Sequence, residues 1–259
     1  MRMASLGSGS DGNSLLISAC SGVTETWVML DCGFALKETA SRLGRLGVGP
    51  DQLSGIIVTH EHQDHVGGVF RVARRHRIPV WMTHGTLEEV RKDADGVQVH
   101  ICRDGEPFVI GDLEIHPYTV PHDAREPVQY TATDGHRKIG VLTDVGHATP
   151  HLIDALAGCD ALLLEFNHDV DMLAQSVYPP WLKARIGGQL GHLSNGQSAD
   201  ILQSLDRSRL TRLIAGHLSQ KNNSSEKVRS AIHHVLGETE IEVIIADQAE
   251  GFGWLNCAL

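Results

Sequence analysis

No apolar run in this chain approaches the ~18 residues that a membrane span requires, and between Met1 and Gly7 the chain turns polar and glycine-rich before a signal-peptide core can form. Cytoplasmic residence without a membrane partner is the expectation. The chain also lacks any C-x-x-C pair: its five cysteines, Cys20, Cys32, Cys102, Cys159 and Cys257, are odd in number and scattered. They read as reduced core residues, not as a disulfide framework. Positive charge is in deficit, with 22 Lys and Arg against 32 Asp and Glu for a net charge of −10. Such a balance repels a polyanion at long range unless basic residues cluster locally. No linker, low-complexity tract or internal repeat breaks the sequence, so residues 1–259 read as one domain.

Histidine is in excess, with 16 beside five Phe and three Tyr. Imidazole is the commonest metal ligand, so where these histidines fall decides what the excess means. Segments rich in Val, Ile and Leu at 15–17, 27–30, 56–58, 80–82, 109–110 and 113–115 read as strands, with helical stretches at 36–46 and 66–77. A second series follows, with strands at 139–143, 161–166, 213–215, 241–246 and 252–254, and helices at 150–157, 194–205 and 224–236. Strands interleaved with amphipathic helices predict an α/β (α+β) fold in which two sheets pack face to face with helices outside, a four-layer αβ/βα sandwich.

The strongest chemical signal is Thr59-His60-Glu61-His62-Gln63-Asp64-His65, just after an apolar strand and just before a helix. Four potential ligands fall within six positions. Alternate residues of an extended segment face one way, so His60 and His62 can reach one metal ion while Asp64 and His65, at the helix start, reach a second. Glu61 and Gln63 support the loop. Asp31 ends the run Trp27 to Leu30 and is placed to hydrogen-bond behind a ligand. Three further polar residues end apolar runs: His122 after Val120-Pro121, Asp144 after Gly140 to Thr143, and His217 after Leu213 to Gly216.

The H-x-H-x-D-H pattern of residues 60–65 resembles the signature of the metallo-β-lactamase superfamily. The resemblance implies that Asp31 braces the ligand loop and that His122, Asp144 and His217 complete the site, with His60, His62 and His122 on one ion, Asp64, His65 and His217 on the other, and Asp144 bridging. Within that superfamily the chain is similar to the WalJ/YycJ-like branch, related to RNase J, tRNase Z and PhnP. Ser5 to Ser14, Thr143 to His147, Leu164 to Asp169, Gly191 to Asn195 and Ala215 to Ser219 carry this likeness. Asp11, Cys32 and Phe166 depart from the usual pattern without removing a ligand.

The resemblance implies a metal-dependent hydrolase that cleaves phosphodiesters with hydroxide activated by two divalent ions, Zn²⁺ or Mn²⁺, with Fe also compatible with an imidazole and carboxylate set. A DNA 5′-exonuclease is the leading expectation. A small-molecule phosphodiesterase, a thioester hydrolase of the PhnP-like or glyoxalase II-like kind, and a non-catalytic metal-binding regulatory protein are the alternatives. Asp64 counts as catalytic as well as ligating. A histidine acid would protonate the leaving group, with His192 first, at a helix start that can also hold phosphate, then His168 and His147. The glycine- and serine-rich loop 7–14 is either a phosphate cradle or a hairpin turn. Arg71, Arg74, Arg75 and Arg77, and separately Lys183, Arg185, Arg207, Arg209 and Arg212, are candidates for backbone contacts to DNA or another phosphodiester, or else solvated helix faces.

Overall fold

The computed structural model describes residues 1–257. The first sheet takes its strands from the N-terminal part of the chain: β1 (Arg2–Gly7), β2 (Ser14–Ser21), β3 (Thr24–Leu30), β4 (Gly55–Ile57), β5 (Val80–Met82) and β6 (Val99–Ile101). The second is built from β7 (Phe108–Ile110), β8 (Leu113–Thr119), β9 (Val128–Thr133), β10 (Lys138–Leu142), β11 (Ala161–Glu165), β12 (Arg212–Gly216) and β13 (Glu242–Ile245). A last strand, β14 (Phe252–Asn256), returns to the first sheet beside β1, giving orders β14-β1-β2-β3-β4-β5-β6 and β13-β12-β11-β10-β9-β8-β7. Pairing is parallel across β3 to β6 and across β10 to β13, and antiparallel elsewhere.

The two-residue period of a strand explains the layering. On β11, Ala161 and Leu163 face the other sheet, whereas Leu162 and Leu164 face helices. On β2, Leu15 and Ile17 join the inter-sheet core, whereas Leu16 turns to the helical side. Strands buried on both faces show no alternation and read as the continuous apolar runs seen in the sequence. Helices α1 (Leu36–Arg45), α2 (Gln63–Val66), α3 (Val69–His76) and α4 (His84–Val90) lie in the first half; Leu43, Val69 and Val72 seal the first sheet's outer face. In the second half follow α5 (Pro150–Leu156), α6 (Val170–Gln175), α7 (Pro180–Ile186), α8 (Asn195–Ser204) and α9 (Ser225–Leu236), of which α5, α8 and α9 cover the second sheet through Leu152, Ile201 and Ile232. The helix–sheet–sheet–helix sandwich is the expected one. Among the described residues no helix is long and apolar enough to cross a membrane.

The fold departs from the sequence reading in several details. The helix expected at 66–77 is broken at Gly67 and Gly68, where a Cβ on Gly68 would sit 1.9 Å from Phe34 O, so the backbone of the neighbouring loop occupies that space. Strands β1 and β9 were hidden by polar residues. Ser5 is buried because its hydroxyl reaches Gly7 O and Ser14 O, and Gln129 because its amide reaches Thr143 O at 2.6 Å. The satisfied Ser5 hydroxyl fits a core at little cost, whereas Gln129 is satisfied only through its amide nitrogen, its Oε1 being buried without a partner.

Candidate metal centre

Both parallel strand sets end on the same rim, and there the chain turns sharply. Among the described residues only Asp31, Arg77, Asp144 and His217 are non-glycine residues with φ between +52° and +58°, and three of the four directly follow β3, β10 and β12 or lie within two residues of them. Left-handed backbone at a non-glycine residue costs free energy and collects at functional turns.

Asp31 is completely buried. Its Oδ1 accepts the Thr59 backbone N–H at 2.8 Å, and its Oδ2 accepts the Thr59 hydroxyl at 2.8 Å and His65 Nδ1 at 2.8 Å. The Thr59 hydroxyl gives its one proton to Asp31, so toward His60 Nδ1, 2.9 Å away, it accepts. The proton of His60 therefore sits on Nδ1 and the lone pair on Nε2. Two other imidazoles are set in the same way: His122 Nδ1 donates to Gly191 O at 3.1 Å, and His217 Nδ1 donates to Glu165 Oε1 at 2.8 Å. Four imidazoles thus have Nδ1 held from behind and Nε2 turned inward, the arrangement in which outer partners orient metal ligands.

The inward atoms crowd together. His62 Nδ1 lies 2.9 Å from His60 Nε2 and 3.3 Å from His122 Nε2. On the other side, Asp64 Oδ2 lies 3.4 Å from His65 Nε2 and 3.9 Å from His217 Nε2. Asp144 stands between the two groups, its Oδ2 3.1 Å from His65 Nε2 and its Oδ1 3.9 Å from His122 Nε2. His60, His62 and His122 form one group able to hold an ion; Asp64, His65 and His217 form another; Asp144 joins His60 and His65 in a third.

Electrostatics favour a cation. Burial, with neighbouring imidazoles, holds His60 and His122 below the ordinary histidine range and so neutral. Burial opposes ionisation of Asp144 and Asp64 too, but the surrounding imidazoles prevail and keep both carboxyls well below their usual range. His65 and His217 go the other way: burial disfavours the imidazolium, but Asp144 beside both, with Asp31 at His65 and Asp64 and Glu165 at His217, raises them, His217 to about 10. Protons here stand where metal charge would. Asp144 Oδ2 is buried without a properly directed hydrogen bond despite His65 at 3.1 Å, as expected of two donors aimed at a common point. The residues present fit divalent metal.

Glu165, at the end of β11, was missed in the sequence reading as a site residue, although it ends an apolar run just as Asp144 and His217 do. It is fully buried and ties the rim together. Oε1 accepts from His192 Nδ1 at 2.9 Å and from Asp144 N at 3.2 Å, in addition to His217; Oε2 accepts from Val145 N at 3.3 Å and Leu193 N at 3.0 Å. Burial pushes its carboxyl up, but His192 and His217 outweigh that and bring it to about 2. His192 sits beside the cluster, 23 % exposed, its Nδ1 3.7 Å from Asp144 Oδ1. Burial works against its imidazolium, but Glu165 lifts it above the ordinary range. His168 is buried with Nδ1 unpartnered, and burial lowers it. His147 lies on the rim, bonded through Nδ1 to Gln189 O at 2.8 Å.

The loop between β1 and β2 braces the ligand segment. Asn13 N donates to Asp64 O at 2.7 Å, its side chain to Asp64 Oδ2 at 3.2 Å, and Ser8 Oγ accepts from His217 N at 2.9 Å. Gly9 N and Gly12 N are taken up inside the loop, which accounts for it as a turn better than as a phosphate cradle. Glu61 Oε1 accepts from Arg125 N at 2.7 Å and so ties the ligand loop to the segment that follows His122. The second basic cluster is split. Arg209 pairs with Asp160 and Arg212 with Glu242, at the opening end of β12, whereas His217 follows the other end. Arg185 lies on the metal-centre side, its Nε 2.6 Å from Asp123 Oδ2, whereas Lys183 Nζ donates to Ala174 O at 2.7 Å.

A cavity of about 340 Å³ opens beside Asp64 and Arg71, and one of about 350 Å³ beyond it is lined by Arg71, Arg74 and Lys92; they share Gln63, Gly67 and Arg71. A larger cavity of about 540 Å³ between α5 and the second sheet contains none of the clustered ligands.

A family model described as a beta-lactamase superfamily domain matches residues 26–217, a stretch that reaches from just before Asp31 to His217. Exodeoxyribonuclease YycJ of Bacillus anthracis is 32% identical over 236 residues, covering 90% of this chain and 88% of the relative. Exodeoxyribonuclease WalJ of Streptococcus pneumoniae is 30% identical over 243 residues, covering 92% and 89%. Among solved structures, the metallo-beta-lactamase fold protein YhfI of Bacillus subtilis superposes with a TM-score of 0.74 at 17% identity, over 98% of this chain and 99% of its own.

Proposed function

The chain belongs to the beta-lactamase superfamily, and from that premise we propose that it is a metal-dependent phosphodiesterase acting on DNA from a 5′ end. His60, His62 and His122 would hold one divalent ion and Asp64, His65 and His217 a second, with Asp144 shared. The nitrogen and oxygen donors suit Zn²⁺ or Mn²⁺, and Fe as well. Bound there, two ions would bring water toward ionisation near neutral pH and polarise a phosphoryl oxygen. What carries the reading is the convergence of four Nε2 atoms, His62 Nδ1 and two carboxylates at one rim, in a chain whose relatives, matched over most of their length, are named exodeoxyribonucleases.

The chain's own residues supply the rest. His192, charged through Glu165, has Nε2 free to give a proton to the departing alkoxide, a step worth about 10²–10⁴-fold. Glu165 keeps that imidazole and the His217 ring in register. His168 is buried and lowered by burial, and His147 has a backbone carbonyl behind its ring where His192 has a carboxylate. Along the trough from Asp64 to Lys92, Arg71, Arg74 and Lys92 offer cations to a phosphodiester backbone, interleaved with Asp11 and Asp93.

The deciding experiment compares the metal-loaded protein on 5′-phosphorylated single-stranded and duplex DNA, a small aryl phosphodiester and a glutathione thioester. Preference for DNA, with a rate that falls as salt rises, is expected. Salt-indifferent cleavage of the small esters alone removes the nuclease reading.

A further inference from the structure

Residues 170–190, which carry α6 and α7, expose apolar surface next to the metal centre. Seven large apolar residues stand exposed among the described residues, and Val170, Val177, Trp181 and Leu190 are four of them, Trp181 at 67%. Helix α7 buries none of its residues. An exposed tryptophan on a helix with no core face is more often kept for contact than for packing.

The segment is anchored at both sides of the centre. Trp181 and Arg185 are one helical turn apart and share a face of α7. Arg185 pairs with Asp123, whose Oδ1 is 3.4 Å from His122 Nε2 and 3.8 Å from His62 Nε2. On the opposite side, Lys221, four residues beyond His217, has Nζ 5.6 Å from the Tyr178 ring centroid. Gly191 closes the segment against α7, where a Cβ would lie 2.1 Å from Arg185 O. Of the cations here, Arg185 is paired with Asp123 and Lys183 Nζ donates to Ala174 O, which leaves Lys221, against the Tyr178 ring, as the cation that can meet an anion.

We propose that Trp181, on the exposed segment that also carries Tyr178 in contact with Lys221, is a stacking platform for the bases of single-stranded DNA next to the scissile phosphodiester. The proposal rests on the DNA reading above. Base–aromatic stacking tolerates any sequence, and flanking cations hold the backbone, which suits an enzyme that processes ends without a sequence requirement.

The test uses metal-loaded protein and a fluorescein-labelled phosphorothioate oligodeoxythymidylate, which resists cleavage, with anisotropy as the binding readout. Trp181→Ala should weaken binding roughly tenfold, Trp181→Phe should restore most of it, and turnover of an aryl phosphodiester should stay unchanged in both. Lys221→Ala should weaken binding and reduce its salt dependence. Unaltered affinity in Trp181→Ala overturns the platform. So does conversion of a dimer to a monomer by Trp181→Ala, in sedimentation, with affinity intact, because the face then belongs to a second copy. Binding that depends on Trp181 in a protein that never cleaves DNA keeps the platform and removes the nuclease reading instead.

Discussion

Glu165 Oε1 accepts a hydrogen bond from His192 Nδ1 at 2.9 Å, and the carboxylate that does so has no solvent exposure. The same oxygen holds His217 at 2.8 Å, so one buried carboxylate orients both imidazoles, the proposed acid and the proposed ligand. Glu165→Gln keeps the shape and removes the charge. His192 then loses the partner that raises it, and the alkaline limb of the kcat profile should move to lower pH, with kcat reduced by about 10²-fold or more. A pH–rate profile with an unmoved alkaline limb would show that His192 is not the acid.

Arg71 lines both the cavity beside Asp64 and the one beyond it. Arg71→Ala should slow cleavage of long DNA and lower the slope of log rate against log salt by about 1, while leaving aryl phosphodiester turnover alone. An unchanged salt slope assigns Arg71 to the solvated face of α3.

The thiols divide sharply. Cys20 is exposed; Cys32, Cys102, Cys159 and Cys257 are buried, and burial pushes each of those four thiols up to about 11. An aromatic disulfide reagent at mildly alkaline pH should titrate Cys20 in the native protein and the remaining four only after denaturation. The same burial sets a pH trend. Below the ordinary thiol value of 9.0 all four thiols are protonated in folded and unfolded chains alike, so they add no pH dependence there. Between 9.0 and about 11 the unfolded chain loses those protons while the folded one keeps them, and stability should fall as pH rises. Denaturant melts across that interval check the direction.

How far the site was legible follows from where its residues sit. Asp31, His60, Asp144 and His217 each end an apolar run or lie just past one, and a polar residue there projects from the rim of a sandwich whatever the connectivity. Glu165 satisfies the same rule on β11, yet a lone glutamate carries no metal-spacing signal; its value comes from the His192 and His217 rings that the fold brings to it. The split of the second basic cluster was illegible, because only the direction of β12 separates Arg212 from the end that carries His217. Helix α7 escaped notice because it buries nothing and so shows no apolar stripe, and the six-residue α6 buries only Leu173. The break at Gly67 and Gly68 is imposed by Phe34 from another loop, which no local pattern records.

Asp144 lies between both ligand groups, within 3.1 Å of His65 Nε2 and 3.9 Å of His122 Nε2. Elemental analysis of the purified protein and of Asp144→Ala, with hydrolysis measured on the same samples, therefore bears most directly on the account. Two divalent ions per chain in the parent, with loss of one or both and of turnover together in the variant, is the predicted result. A parent that holds no transition ion, or a variant that keeps both ions and full turnover, would contradict it.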